Sequence, residues 1–182
     1  MKRNLKVLFA ALPLSLFLSP LVCGVSIART QTGEPIQTIR QQYAAINKGA
    51  RRYKKVKKEL SGFSLEGGEL FAYFDGPAIV KIVANHFGES GKASEEYYYA
   101  NGKLIFVLRK DYRYSQPMSG KVVSTRENRF YFQNDRLIRW LSEDGKQVGT
   151  ASDEFKQKQD EYLDSSSKFL SGALSKSSKI EA

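Results

Sequence analysis

The feature that most limits the fold is a hairpin pattern that occurs three times in one stretch of the chain. Each copy has aromatic residues, then a turn rich in Asp, Asn or Gly, then aliphatic residues. The copies lie at residues 73–79, 98–105 and 131–138. Asp-Gly and Asn-Gly favour tight hairpins because both central residues of a type I′ turn have positive φ. Residues 69–148 are therefore predicted to form an antiparallel meander of about six strands.

One strand of this meander is predicted to be central. Residues 104–108 read Leu-Ile-Phe-Val-Leu and are apolar at every position. Side chains of a strand point alternately to its two faces, so an unbroken apolar run is typical of a strand that is covered on both sides.

Two amphipathic helices are predicted to flank the meander and to pack on it. Before the meander, apolar residues recur at heptad spacing over residues 36–60, following Pro35, which suits the first turn of a helix. After it, Ser152 is a suitable N-cap, and apolar residues within 155–174 share one helical face. The predicted fold class is therefore α+β.

The N-terminus has the composition of a cleavable secretory signal peptide. A basic start precedes an apolar run over residues 7–22, and small residues follow, which predicts cleavage after Ala28, with cleavage after Gly24 as the alternative. A membrane anchor would need about 20 apolar residues, and this run is shorter and contains two prolines. Lipidation at Cys23 is a minor alternative, because Val22 departs from the bacterial lipoprotein pattern.

The predicted organisation has four parts. They are a signal peptide over residues 1–28, a polar linker over 29–34, one α+β domain over 35–175 and a frayed tail over 176–182. The processed protein is expected to be periplasmic or secreted. The only cysteine, Cys23, lies in the leader, so thiol catalysis, disulfides and cysteine metal sites are excluded for the processed chain.

Positive charge is concentrated in one segment. The net charge is +10, and the leader contributes three basic residues and no acidic one, which leaves +7. Residues 48–58 contain seven basic residues and no acidic one, so the rest of the processed chain sums to zero. On a helix, six of the seven would lie opposite the apolar stripe, and the seventh, Lys57, interrupts the heptad series. The candidate binding residues are Lys48, Arg51, Arg52, Lys54, Lys55 and Lys58.

Two surfaces are therefore candidates for binding. The basic helix could contact phosphate-rich polymers or an anionic membrane surface, although runs of charge are more often simply solvated. We do not expect nucleic acid as a partner of an exported protein. Aromatic strand faces, formed by Phe71 with Tyr73 and by Tyr97 with Tyr99, could instead form a platform for a peptide, glycan or apolar ligand. Core packing beneath the helices is the alternative interpretation of these aromatic faces, and we favour it.

The residues that enzymes use for acid–base or metal chemistry are sparse. His86 is the only histidine, and no triad pattern, metal-ligand spacing or glycine-rich phosphate loop is present. The adjacent Glu95 and Glu96 should point to opposite faces of a strand and so cannot act together on one bond. We therefore expect a protein without a cofactor, a metal site or an enzymatic activity.

The order of leader, basic helix and meander resembles small exported bacterial proteins of unassigned function. The resemblance includes the run Glu-Glu-Tyr-Tyr-Tyr-Ala-Asn-Gly-Lys-Leu-Ile-Phe-Val at residues 95–107. It implies a fold and a compartment, and no activity or site.

The expected function is a non-enzymatic envelope binding module that contacts an anionic envelope component or an envelope protein. The alternative is an inhibitor or accessory subunit of an envelope hydrolase, with a hairpin turn such as Asn101-Gly102 or Asp75-Gly76 as its contact.

Overall fold

The computed structural model describes residues 33–182, so the predicted leader lies outside the described residues. This part of the chain contains two α-helices, one short 3₁₀ helix and eight strands. The helices are α1 (Gly33–Lys48), the 3₁₀ helix (Ala50–Arg52) and α2 (Asp153–Leu174). The strands are β1 (Lys54–Ser61), β2 (Gly68–Asp75), β3 (Ala78–Gly88), β4 (Gly91–Ala100), β5 (Lys103–Tyr114), β6 (Val122–Gln133), β7 (Arg136–Leu141) and β8 (Lys179–Glu181).

The eight strands form one sheet in the order β7-β6-β5-β4-β3-β2-β1-β8. Every neighbouring pair is antiparallel except β1 and β8, which are parallel. The α+β class and the antiparallel meander are confirmed. The expected count of six strands is too low, because β1 and β8 both lie outside residues 69–148.

The first helix is much shorter than predicted. It ends at Lys48, and β1 begins at Lys54, so the prediction of a helix through Leu60 is wrong. Between them the chain turns tightly at Gly49, where a Cβ atom would lie only 2.6 Å from the Tyr53 hydroxyl oxygen. Beyond this turn, residues 54–60 pair with β2 along their whole length. Sheet pairing satisfies the same backbone groups that a helix would have used.

The C-terminal tail is also ordered in part, contrary to the predicted fraying over 176–182. Ile180 of β8 is 7% exposed and pairs with Leu60 of β1. A Cβ atom at Gly172 would lie 2.5 Å from the Ile180 Cδ1 atom. Glycine at this position of α2 therefore lets Ile180 reach the core.

Two of the three predicted hairpin turns have the expected backbone conformation. Asn101 and Gly102 have φ of 52° and 74°, and Asn134 and Asp135 have φ of 51° and 59°. These pairs of positive φ values are what type I′ turns require. In the turn between β2 and β3, Gly76 has a φ of 60° and is followed by Pro77, whose ring holds φ negative.

The two helices cover opposite faces of the sheet. Phe106 and Leu108 of β5 pack in one core cluster with the isoleucines of α1, and Val107 packs in the other with Phe155 and Phe169 of α2. We call these the α1 face and the α2 face. Residues 104–108 are 0–8% exposed, which confirms that this strand is central and covered on both sides. Neither helix of residues 33–182 is long and apolar enough to cross a membrane.

Candidate functional site

The register of β1 and β2 joins the two surfaces that the sequence offered as alternatives. Lys55 lies opposite Tyr73, and Lys57 lies opposite Phe71. Residues directly opposite in antiparallel strands have their side chains on the same face. The four residues therefore share the α1 face, beyond the strands β4, β5 and β6 on which α1 packs. We call Lys55, Lys57, Phe71 and Tyr73 the cationic–aromatic face.

The lysines of this face lie over its aromatic rings. Lys55 Nζ is 3.9 Å from the centroid of the Phe71 ring and 5.6 Å from that of Tyr73, and Lys57 Nζ is 5.6 Å from Phe71. A cation over an aromatic face is attracted by the ring's negative potential. Lys57 Nζ also lies 2.9 Å from the Glu69 carboxylate, which compensates part of its charge. Among residues 33–182, Lys55 forms no ion pair.

Further basic residues lie just before β1. Lys48 ends α1, and Arg51 and Arg52 are exposed in the 3₁₀ helix. The Arg52 guanidinium lies 5.3 Å from the centroid of the Tyr53 ring and 3.3 Å from the Asp75 carboxylate. These residues extend the positive charge to the end of the sheet that carries the turn between β2 and β3.

The structure separates two of the predicted binding residues from this surface. Lys54 is exposed but lies opposite Phe74, which packs in the core of the α2 face. Lys58 is 6% exposed, and its Nζ donates hydrogen bonds to the carbonyl oxygens of Ser175, at 2.8 Å, and of Ser177. Lys58 therefore stabilises the C-terminal end of α2 and does not face solvent.

One residue of the site is absent from the predicted set. The helical interpretation placed Lys57 on the apolar side, where it interrupted the heptad series. In the strand, Lys57 is two residues from Lys55 and its side chain is 64% exposed. The alternation of Val56 and Leu60 with the polar Lys55, Lys57 and Glu59 is the signal that could have found it, although Lys58 interrupts that alternation.

The second aromatic pair is core, as the core-packing interpretation predicts. Tyr97 and Tyr99 are 0% and 2% exposed beneath α2. The Tyr97 ring centroid lies 5.4 Å from that of Phe169, and the Tyr99 hydroxyl lies 3.1 Å from the Ser166 hydroxyl. This pair forms no open platform.

Glu95 anchors a buried polar network on the α2 face. Arg109 Nη1 donates to Glu95 Oε1 at 2.8 Å, and the Tyr97 hydroxyl donates to Glu95 Oε2 at 2.7 Å. Arg109 also donates to both carboxylate oxygens of Asp111. Burial raises the pKa of Glu95, but His86, whose Nε2 lies 3.7 Å from Glu95 Oε2, the hydrogen bond from Tyr97 and the charge of Arg109 outweigh burial and lower that pKa. The only histidine thus belongs to a structural network.

Glu96 anchors a second network, on the α1 face. It lies 2.6 Å from Lys81 Nζ and accepts a hydrogen bond from the Tyr98 hydroxyl. Lys81 Nζ also donates to Asn47 Oδ1 at 3.1 Å, and the Tyr98 hydroxyl oxygen lies 3.1 Å from the same atom, so Asn47 ties the end of α1 to the sheet. The prediction that Glu95 and Glu96 point to opposite faces is confirmed.

No protein-family model, curated protein or solved structure matches this chain. Within residues 33–182, no three His, Cys, Asp or Glu side chains are grouped closely enough to hold a metal ion. The functional argument therefore rests on the cationic–aromatic face and its surroundings.

Proposed function

We propose that this chain is an exported, non-enzymatic envelope protein that binds an anionic envelope component through its cationic–aromatic face. The observation that carries the proposal is the alignment of Lys55 and Lys57 over Phe71 and Tyr73 on an open part of the sheet. Positive charge and aromatic surface are here available to the same ligand.

Electrostatics favours an anionic ligand at this face. Lys55 has no carboxylate partner among the described residues, so its charge is available to a ligand. The neighbouring Lys57 is mostly exposed and is compensated only by Glu69. Each basic residue near an anionic lipid surface contributes about 1 kcal/mol of attraction. The half-buried rings add apolar contact for the less polar parts of the same ligand.

A paired set of variants tests the anionic contact. Lys55→Ser with Lys57→Ser should weaken co-sedimentation with phosphatidylglycerol-containing vesicles roughly thirtyfold, equivalent to about 2 kcal/mol. Lys54→Ser with Lys156→Ser removes the same charge on the α2 side and is the matched control. All variants keep the same N-terminus, so any contribution of the leader to vesicle binding is equal in each.

Salt provides the second measurement. Raising ionic strength from about 50 mM to about 300 mM should strongly weaken binding of the unaltered protein, because exposed charges are screened at these concentrations. An equal loss of vesicle binding in the two double variants would contradict a specific role for the cationic–aromatic face. Vesicle binding that does not respond to salt would contradict it as well.

Export is tested separately. Cell fractionation followed by N-terminal sequencing should find a processed chain in the periplasm or the medium, beginning at Arg29, or at Val25 for the alternative cleavage. An unprocessed chain that remains in the cytoplasm would overturn the envelope location while leaving the anionic contact intact.

A further inference from the structure

A pocket of about 360 Å³ lies between α1 and strands β5 and β6. Its floor is apolar and aromatic. Phe106, Leu108 and Tyr131 each have only 4–5% of their surface exposed. The Tyr43 ring of α1 forms a wall, with its centroid 5.2 Å from that of Phe106, which in turn lies 4.9 Å from Tyr131. A ligand body that rests here would contact rings already fixed by packing.

The rim of the pocket is basic. Arg40 of α1, Lys110 of β5 and Arg129 of β6 line it together with one carboxylate, Glu127. Glu127 is shared, since Arg129 Nη2 lies 2.5 Å from it and Lys110 Nζ lies 3.7 Å from it. Arg40 forms no ion pair within residues 33–182. Three cations and one anion leave an excess of positive charge above an apolar floor.

We propose that this pocket binds a small amphipathic anion. Its apolar or aromatic body lies on Phe106, Leu108 and Tyr131, and its single anionic group meets Arg40 and Arg129 at the rim. Pockets for small molecules are mostly apolar, with a few polar groups that fix orientation, and have volumes of about 300 to 1,000 Å³. The volume found here accommodates a compact ligand.

The arrangement selects against other ligand classes. An inorganic anion would leave the aromatic floor unused, and an amphipathic cation would be repelled by the basic rim. This pocket shares no residue with the cationic–aromatic face, so either proposal can fail without the other.

Anilinonaphthalene sulfonate is a suitable probe, because it combines an aromatic body with one anionic group. It should bind the unaltered protein saturably with enhanced fluorescence. Octanoate should displace it, while octylammonium, which has the same chain length and opposite charge, should not. Inorganic phosphate alone should not displace it at the concentration at which octanoate does.

Arg40→Glu should weaken probe binding about tenfold or more, because a cation that attracts the anionic group of the probe is replaced by an anion that repels it. Arg129→Gln should weaken it as well. The matched control is Arg136→Glu, an equal charge change at an exposed residue in a different part of the sheet. Near-ultraviolet circular dichroism should show that all three variants are folded, since each replaced side chain lies at the surface.

Three results would overturn the proposal. They are non-saturable probe binding, equal displacement by octylammonium and octanoate, and equal weakening by Arg40→Glu and Arg136→Glu.

Discussion

Glu95 and Glu96 are adjacent in the chain, yet their carboxylates lie on opposite faces of the sheet and pair with different cations. Glu95 pairs with Arg109 beneath α2, and Glu96 pairs with Lys81 at the end of α1. The strand's alternation thus places one partly buried ion pair in each interface between helix and sheet. Two neighbouring residues of β4 help to hold both helical layers.

Replacement of Glu95 should destabilise the fold strongly. Its side chain is 8% exposed, and Glu95→Gln replaces the carboxylate that accepts hydrogen bonds from Arg109 and Tyr97, which leaves Asp111 as the carboxylate partner of Arg109. We expect Glu95→Gln to lower the free energy of unfolding by about 2 kcal/mol, measured by urea denaturation. Lys103→Gln removes the exposed ion pair with Asp135 and should cost less than about 1 kcal/mol. A similar cost for both variants would contradict a structural role for the Glu95 network.

Acid should weaken the interface between α1 and the sheet. Burial raises the pKa of Glu96, but hydrogen bonds from Lys81 and Tyr98 outweigh it, and that pKa is lowered. Because the folded pKa is below the unfolded value of about 4.3, this stabilisation is present above that pH and is lost as pH falls through the folded pKa. Urea midpoints should fall less steeply with acid in Glu96→Gln than in the unaltered protein. Identical slopes would show that Glu96 does not contribute to this dependence.

Lys58 should contribute to stability and not to vesicle binding, whereas Lys57 should contribute to vesicle binding and little to stability. Lys58→Met leaves the carbonyl oxygens of Ser175 and Ser177 without their donor, which should cost about 1 to 3 kcal/mol in unfolding free energy. Vesicle binding by the folded variant should be unchanged. Lys57→Met should weaken vesicle binding with little loss of stability. Weakened vesicle binding by folded Lys58→Met would show that Lys58 belongs to the contact surface after all.

The approach of β4 to β5 should require glycine at position 91. A Cβ atom there would lie 2.0 Å from the Tyr112 carbonyl oxygen, which is part of the backbone and cannot move freely. Gly91→Ala should therefore destabilise the protein by about 2 kcal/mol or more. At Gly88 the nearest atom would be 3.4 Å away, so Gly88→Ala should cost less than about 1 kcal/mol. Thermal unfolding of the two variants measures the difference, and equal melting temperatures would be inconsistent with the close approach.

The meander and its central strand were predictable, because local turn residues and a fully apolar run specify them. The end of α1 was not, because the apolar residues beyond Gly49 fit a heptad series by coincidence. The strand's own alternation over Val56, Lys58 and Leu60 is masked, since a lysine occupies a buried position. That lysine is tolerated because the segment just after α2 presents two carbonyl oxygens, more than a hundred residues later in the chain.

The strand β8 was hidden for a related reason. It has three residues and one buried side chain, Ile180, and its partner is a distant parallel strand. No local pattern can indicate such a pairing. The cationic–aromatic face was equally inaccessible, because it depends on the register between β1 and β2 rather than on either segment alone.

The shortness of β8 has a consequence for how copies of this protein meet. It pairs only with residues 59–61 of β1, and within the described chain no strand pairs with the outer side of residues 54–58. Unpaired strand edges recruit other strands, and lysines on an edge oppose this by mutual repulsion. The charges that we propose to attract an anion should therefore also keep one sheet from extending into the next. A ligand that neutralises them would remove that protection against self-association.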